Sequence, residues 1–277
     1  MGGVRKAGVI GWPVGHSLSP AMMTAWLNDA GIEGEYSPVA AAPEDFADTI
    51  HRLREAGYAG VNVTLPHKEA ALALADTASD AARAAGAANV LVFEKARIHA
   101  DNTDITGIRA TLDEGGWQAE TGPAVLIGAG GAARAALYVL KAAGVPARIV
   151  NRSPDRAAEL ARSMGCAAEI HGLDAAPRAL EGARLVINAT SLGMKGQPAL
   201  ALPLDILPAD ALVFDMVYVP LETGLLKQAR SRALRTVGGL SMLIGQARPA
   251  FEAFFGKPVP ARTPVRAMLE AALEGRP

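Results

Sequence analysis

Ala124-Val125-Leu126-Ile127, followed at once by Gly128-Ala129-Gly130-Gly131-Ala132-Ala133-Arg134, is the stretch on which the fold turns. Four apolar residues in a row read as a strand covered on both faces, as strands of parallel sheets are. The glycine-rich turn then opens an amphipathic helical pattern that runs to Ala143. Strand, glycine turn and helix in that order form the first unit of a doubly wound α/β sheet, and a turn without side chains lets backbone N–H groups and the positive helix end approach a pyrophosphate. The third glycine of the usual G-x-G-x-x-G fingerprint is replaced by Ala133, a small residue that the position permits.

Downstream the rhythm repeats. Ala147-Arg148-Ile149-Val150, Leu185-Val186-Ile187-Asn188 and Leu212-Val213-Phe214-Asp215 are further apolar strands separated by helical patterns, with Arg235-Thr236-Val237 as the last. Helices over about Leu240–Phe255 and Thr263–Leu273 close the chain beyond this sheet. Upstream, a second α/β alternation begins with the strand Ala7–Gly11 and a helix from Pro20, then a strand over Glu35–Ala40, in which Pro38 marks either a sheet edge or the strand's end. A helix over Pro43–Ala56, the strand Val61–Thr64, short helices over Lys68–Ala75 and Asp80–Ala85, and a hairpin of Ala88–Phe93 with Arg97–Ala100 follow. A helix after Asp104 bridges the two patterns, and the cleft between two α/β domains is the expected ligand site.

Composition narrows the function. The 277 residues hold 27 Lys+Arg against 28 Asp+Glu, so no global positive field draws nucleic acid or an anionic membrane, and a small-molecule ligand is favoured. The single Cys166 has no partner, the start Met1-Gly2-Gly3-Val4-Arg5-Lys6 lacks the apolar core of a signal peptide, and no apolar run is long enough for a membrane span, which together predict a cytoplasmic location. The five histidines show no metal spacing, and no metal is expected. No sequence feature fixes an oligomeric state, and a homodimer stays open.

At the end of the second strand of the glycine-turn domain, where NAD-binding sheets carry an acidic residue, stands Asn151, followed by Arg152, Ser153 and Arg156. Two guanidinium groups, a hydroxyl and an amide suit the 2′-phosphate of NADP better than the bare ribose of NAD. In the first half, Ser17-Leu18-Ser19-Pro20 fits two readings. Ser19-Pro20 has the sequence of a helix N-cap with a first-turn proline, and two hydroxyls at a helix start also fit a carboxylate. Lys68 follows Asn62-Val63-Thr64-Leu65-Pro66-His67 at a helix start, where the dipole disfavours a cation and makes it a candidate proton donor. Asp101-Asn102-Thr103-Asp104 supplies carboxylates that could cap the next helix or pair with Lys68, an arrangement suited to alcohol oxidation beside a nicotinamide. The polar end Asn188–Met194 reads singly as structural.

Taken in order, these segments resemble the shikimate dehydrogenase family over nearly the whole chain. The resemblance rests on Gly11–Pro20, Asn62–Lys68, Gly86-Ala87-Ala88-Asn89, Asp101–Asp104, Gly128–Ala132, Asn151-Arg152, Asn188–Met194, Asp215-Met216-Val217-Tyr218 and Gly239–Gln246. It implies reversible, NADPH-dependent reduction of 3-dehydroshikimate to shikimate, on the route to chorismate and the aromatic amino acids. It also implies an N-terminal α/β substrate domain over residues 1–105 with 239–277, and a Rossmann-type NADP-binding domain over 106–238, the C-terminal helices packing back on the substrate domain. By the same resemblance, substrate contacts fall on Ser17, Ser19, Thr64, Lys68, Asn89, Asp104, Tyr218 and Gln246, with Lys68 as acid–base and Asp104 as its partner. Cofactor contacts fall on Gly128, Ala129, Gly130, Gly131, Ala132, Asn151, Arg152, Ser153, Arg156, Met216, Gly239 and Met242, and more weakly on Asp80.

The chain departs from the family pattern at Val90, at Ile105-Thr106 and at Ser241, the last where glycine is usual beside the nicotinamide. Rival readings are a quinate/shikimate dehydrogenase using NAD, a methylenetetrahydrofolate dehydrogenase and a non-catalytic NADP sensor. The Ser-x-Ser and Asn151-Arg152 segments oppose the first, the Asn-Thr-Asp segment does not suit a folate site, and the presence of both Lys68 and Asp104 opposes the sensor.

Overall fold

The computed structural model describes residues 4–94, 97–119 and 122–275. Met1–Gly3, part of the stretch on which a missing leader was read, and the Lys95-Ala96 turn of the expected hairpin lie outside the described residues. The chain divides into two compact units, Met1–Thr103 with Gln246–Pro277, and Asp104–Gly245. Among the described residues no helix is long and apolar enough to cross a membrane.

The first unit is built on a mixed sheet. Strands β1 (Arg5–Gly11), β2 (Gly34–Ala40) and β3 (Tyr58–Val63) run parallel, with β2 at the edge, so Pro38 removes a donor where the ladder ends. Beyond them β4 (Thr77–Ala78), a two-residue strand that no periodicity announces, pairs parallel to β6 (Arg97–Asp101), and β5 (Val90–Glu94) runs antiparallel to both β3 and β6. Helices α1 (Ser19–Ala30), α2 (Phe46–Glu55), α3 (Lys68–Leu74) and α4 (Asp80–Ala85) connect the strands. The turn at Pro43–Asp45 is a separate 3-10 turn rather than the first turn of α2. Ile10, Phe46, Ile50, Val61, Val63, Leu91 and Ile98 form one of this unit's core clusters.

The second unit begins with α5 (Asp104–Glu114) and carries six parallel strands: β7 (Ala124–Ile127), β8 (Ala147–Val150), β9 (Ala168–His171), β10 (Leu185–Asn188), β11 (Leu212–Asp215) and β12 (Arg235–Gly238). Their order, β9-β8-β7-β10-β11-β12, is the 3-2-1-4-5-6 order of a dinucleotide-binding sheet, with its reversal between β7 and β10. Helices α6 (Gly131–Ala142), α7 (Pro154–Ser163), α8 (Ala176–Leu180) and α9 (Gly224–Ser231) make the crossovers. The sequence pattern passes over β9 because Ala168-Glu169-Ile170-His171 is an edge strand that is nowhere fully buried.

The last helices, α10 (Gly239–Phe255) and α11 (Val265–Glu274), carry the chain from the second unit back to the first, the division falling inside α10. The break lies at Gly245/Gln246, later than the expected 238/239, because a Cβ on Gly245 would stand 3.1 Å from Gly107 Cα. That glycine pair keeps the start of α10 against α5. From Gln246 onward the chain packs into the first unit: Phe251 meets Trp26 edge to face with centroids 5.7 Å apart, and Thr263 Oγ1 donates to Asp29 at 2.6 Å. Phe251 and Trp26 are both essentially inaccessible, and truncation of either would cost about 3–5 kcal/mol.

Candidate functional site

In the first unit the side chains expected at the site gather where β1, β3 and β6 end and β5 begins. Because β5 runs antiparallel to β3, its start lies beside the end of β3, and Asn89 reaches the same sheet edge as Thr64 and Thr103. Thr64 N–H donates to the Ile10 carbonyl at 2.9 Å, and a Cβ on Gly11 would lie 2.4 Å from Thr64 Cγ2, so only glycine lets the two strand ends approach this closely. Trp12 N–H donates to the Leu65 carbonyl at 2.9 Å and joins the loop after β1 to the loop after β3. Lys68 opens α3, and its carbonyl accepts Ala88 N–H at 2.8 Å, one residue before Asn89. The preceding His67 is fixed from below, Nε2 at 2.8 Å from the Ala41 carbonyl and its ring stacked on Phe46.

Asn89 is buried and hydrogen-bonded at both ends of its amide. Its Oδ1 accepts Thr103 N–H at 2.7 Å, while Nδ2 donates to Thr103 Oγ1 at 3.0 Å and to Gln246 Oε1 at 3.3 Å. Thr103 Oγ1 lies 3.4 Å from the same Gln246 oxygen. Behind them Asn62 Nδ2 donates to the Asn89 carbonyl at 3.3 Å, and Asn62 Oδ1 accepts the Tyr36 hydroxyl at 2.7 Å. Burial pushes that hydroxyl well above its ordinary pKa, which keeps it a donor. The structure therefore brings Asn89 and Gln246 together, and it adds Thr103, whose place in Asn102-Thr103-Asp104 was the only signal available in the sequence. Asp104 itself is buried in the first turn of α5, in the other unit.

Ser17 and Ser19 exchange roles relative to the capping expectation. Helix α1 already includes Ser19, its cap position is Leu18, and no side chain caps it there. A turn closed by Ser17 N–H on the Val14 carbonyl at 3.0 Å brings the Ser17 hydroxyl round, and it accepts Ser19 N–H at 3.2 Å. The Ser17 hydroxyl thus serves the start of α1, and Ser19 is buried.

In the second unit Gly128 sits at φ +112°, and a Cβ there would meet Thr190 Cγ2 at 2.9 Å and the Ala189 carbonyl oxygen at 3.1 Å. Gly130 at the cap of α6 faces open space, with nothing within 4 Å of an added Cβ. One glycine is needed for backbone conformation and close packing; the other leaves the helix start clear for a phosphate. Ala133 is wholly buried, so the missing third glycine costs no access. Beyond β8, Asn151 Nδ2 donates to the Ser153 carbonyl at 2.9 Å and shapes the start of α7. Arg152 and Arg156 are exposed there and, among the described residues, unpaired with any carboxylate, Asp155 included. These residues fit a 2′-phosphorylated dinucleotide.

Met216 and Gly239 come together: Gly239 N–H donates to the Val217 carbonyl at 3.3 Å, and a Cβ on Gly239 would fall 2.0 Å from the Met216 carbonyl oxygen. Met242 lies buried on the same stretch of α10. Tyr218 follows Val217 on the loop after β11 and is half-buried. Ser241, the departure from glycine, donates to Glu114 Oε1 at 3.0 Å, while Val90 and Ile105 are buried. Asp80 lies in the first unit, exposed, and holds Arg83 at 2.6 Å.

The sequence understated the polar end of β10 and β11. Asp215, with no accessible surface, accepts Asn188 Nδ2 at 2.9 Å, Val217 N–H at 3.0 Å and Thr223 Oγ1 at 2.7 Å. Asn188 in turn accepts Thr190 N–H at 3.0 Å and Thr190 Oγ1 at 2.7 Å. Burial raises the Asp215 carboxyl above its ordinary pKa, and the hydrogen bonds from Thr223, Val217 and Asn188 pull it back.

Two family models match the chain: the shikimate dehydrogenase substrate binding domain over residues 9–91, and shikimate / quinate 5-dehydrogenase over residues 114–194. A shikimate dehydrogenase (NADP(+)) of Methylocella silvestris is 45% identical over 271 residues, covering 97% of each chain. Among solved structures, shikimate 5-dehydrogenase from Thermus thermophilus in complex with NADP(H) and shikimate is 36% identical and superposes with a TM-score of 0.83 over 98% of this chain and 99% of that one. A quinate dehydrogenase from Corynebacterium glutamicum in complex with NAD is 30% identical, with a TM-score of 0.86 over 97% and 99%. Overall fold therefore does not separate the two substrate classes.

Proposed function

The chain belongs to the shikimate dehydrogenase family, and on that premise we propose that it catalyses the reversible, NADPH-dependent reduction of 3-dehydroshikimate to shikimate, in the cytoplasm, as a step toward the aromatic amino acids. The observation that carries the NADP preference is the start of α7, where exposed Arg152 and Arg156 pair with no carboxylate among the described residues and Asn151 occupies the place of the usual acid. The shared fold leaves quinate with NAD as the second reading, and the same arginines favour NADP over it.

The Gly128–Ala132 turn would hold NADPH, Arg152, Ser153 and Arg156 would take its 2′-phosphate, and Met216, Gly239 and Met242 would flank its nicotinamide, which when bound would supply the hydride. Lys68 gives a proton to the C3 oxygen of 3-dehydroshikimate as that oxygen gains negative charge, and takes one back in the reverse direction. Asp104 is the carboxylate assigned to orient and balance Lys68. Asn89 and Gln246 hold the ring hydroxyls, and their mutual hydrogen bond fixes both amides before substrate arrives, so little ordering remains at binding. Thr64 and Tyr218 are assigned to the same ring, and Ser17 and Ser19 to the substrate carboxylate, with one Ser17 lone pair already used by Ser19 N–H.

Near-ultraviolet absorbance of the reduced nicotinamide, followed with shikimate or quinate against NADP or NAD in all four combinations, tests the reading. Turnover highest with shikimate and NADP is expected; turnover mainly with quinate and NAD would overturn both specificity assignments, and silence in all four would return the chain to the sensor reading.

A further inference from the structure

Among the described residues of the second unit, Asp215 is a fully buried carboxylate that the proposed chemistry leaves without a task. It ends β11, next to β10, and β10 is next to β7, whose glycine turn begins at Gly128. Its two oxygens gather donors from three segments: Asn188 at the end of β10, Val217 in the loop after β11, and Thr223 at the cap of α9. The chain of contacts continues in both directions. Through Asn188 it fixes Thr190, whose methyl group and preceding carbonyl form the wall against which Gly128 packs. Through Val217 it fixes the Met216 carbonyl, against which Gly239 packs without room for a Cβ.

We propose, resting on the NADP reading above, that Asp215 is a positioning residue for the dinucleotide: it holds the loops after β10 and β11 in the one arrangement that keeps the Gly128 turn and the Met216–Gly239 contact aligned for binding. An ionised carboxylate is the side chain suited to this, because it accepts on both oxygens and opposes none of the donors. Asparagine has the same shape but one oxygen and an NH2 group, so it would turn a donor toward Thr223 or toward Asn188 and Val217. The Gly128 turn approaches the pyrophosphate, which NADP and NAD share, so misalignment there weakens both dinucleotides together. Loss of Arg152 or Arg156 weakens NADP alone.

The experiment is fluorescence titration of the full-length protein with NADP and with NAD, for wild type, Asp215→Asn, Thr223→Val and Thr223→Ser. Leu180→Ala, a truncation of a core residue that is not a member of the hydrogen-bond network, serves as a control for lost stability. Wild-type binding of neither dinucleotide would sink the NADP reading itself. Given wild-type binding, the expectation is that Asp215→Asn weakens NADP and NAD by the same factor, about tenfold or more, and that Thr223→Val does so more mildly while Thr223→Ser, which restores the hydroxyl, binds as wild type. Wild-type affinities in Asp215→Asn, or losses no larger than Leu180→Ala shows at equal melting temperature, would overturn the inference while leaving the NADP reading intact. Should Asp215→Asn not fold, the Thr223 pair decides: equal affinities for Val and Ser reject it.

Discussion

The two sheets present their functional residues at strand ends in opposite materials. At the edge of the mixed sheet the cluster of Asn89, Thr103 and Gln246 is made of neutral side chains already bonded to one another, the first two buried and Gln246 half-buried. At the edge of the parallel sheet the groups are backbone, held in shape by glycines, with two exposed arginines at the rim. The difference follows from what each has to recognise. A ring of hydroxyls is told from its neighbours by the positions of donors and acceptors, so a site that binds it is built from side chains whose rotamers are locked. A phosphate is recognised by charge and by converging N–H groups, which a bare turn and flexible guanidinium groups supply. On the reading proposed above, the first site should lose specificity when a partner is removed and the second should lose affinity when charge is removed.

The largest expected effect belongs to neither class, since it concerns the proton itself. Lys68→Ala should lower kcat on the order of 10²- to 10⁴-fold and leave KM for shikimate nearly unchanged. Steady-state kinetics check it, and a loss confined to KM would remove Lys68 from the proton transfer.

At the phosphate rim, Arg152→Ala with Arg156→Ala removes two charge-assisted contacts worth about 1.5–3 kcal/mol each, so KM for NADP should rise by roughly a hundredfold or more while KM for NAD hardly moves. KM values for the two cofactors measured side by side would show it; an equal loss for both would mean that the arginines act on the turn rather than on the 2′-phosphate.

At the amide cluster, Thr103→Val keeps the backbone bond from Thr103 N–H to Asn89 Oδ1 at 2.7 Å and removes only the hydroxyl that engages Asn89 and Gln246. With about 0.5–1.5 kcal/mol per lost bond, kcat/KM for shikimate should fall roughly tenfold, with KM for NADP within about twofold. A change that moves NADP and shikimate alike would blur the distinction between the two sites.

How far the sequence revealed this division depended on the material. The parallel sheet was legible because its central strands are fully buried and therefore continuously apolar, and because glycine leaves a mark wherever a turn needs it, as at Gly128. Strands β4 and β9, each at the end of its sheet, were not, being short or half-exposed. The amide cluster joins residues 89, 103 and 246, a separation that local pattern cannot bridge; Asn89 and Gln246 came from family resemblance, and Thr103 was named only as part of a motif. Asp215 and Asn188 looked like ordinary polar strand ends because their significance lies in mutual contact. The cap expected at Ser19 fails for a similar reason: Ser19-Pro20 is a valid cap sequence, and only the turn at Val14–Ser17 shows that the earlier serine faces the free N–H.

The smallest effect is expected at Ser241, where this chain departs from the glycine usual in its family. Its hydroxyl donates to Glu114 at 3.0 Å, joining α10 to α5 within the second unit, and the side chain is buried. Ser241→Gly would lose that bond to a carboxylate, about 1.5–3 kcal/mol, and add about 0.5–1 kcal/mol for glycine in a helix, so the melting temperature should drop by several degrees. KM for NADP should change by less than about twofold, since one hydrogen bond between two helices alters neither the Gly128 turn nor the arginines, and misalignment large enough to be felt would cost far more. Thermal unfolding and NADP kinetics on the same preparation separate the two quantities. A clear gain in NADP affinity without loss of stability would mean that the serine presses on the nicotinamide site and that the recognition surface of the second unit extends from backbone to this side chain.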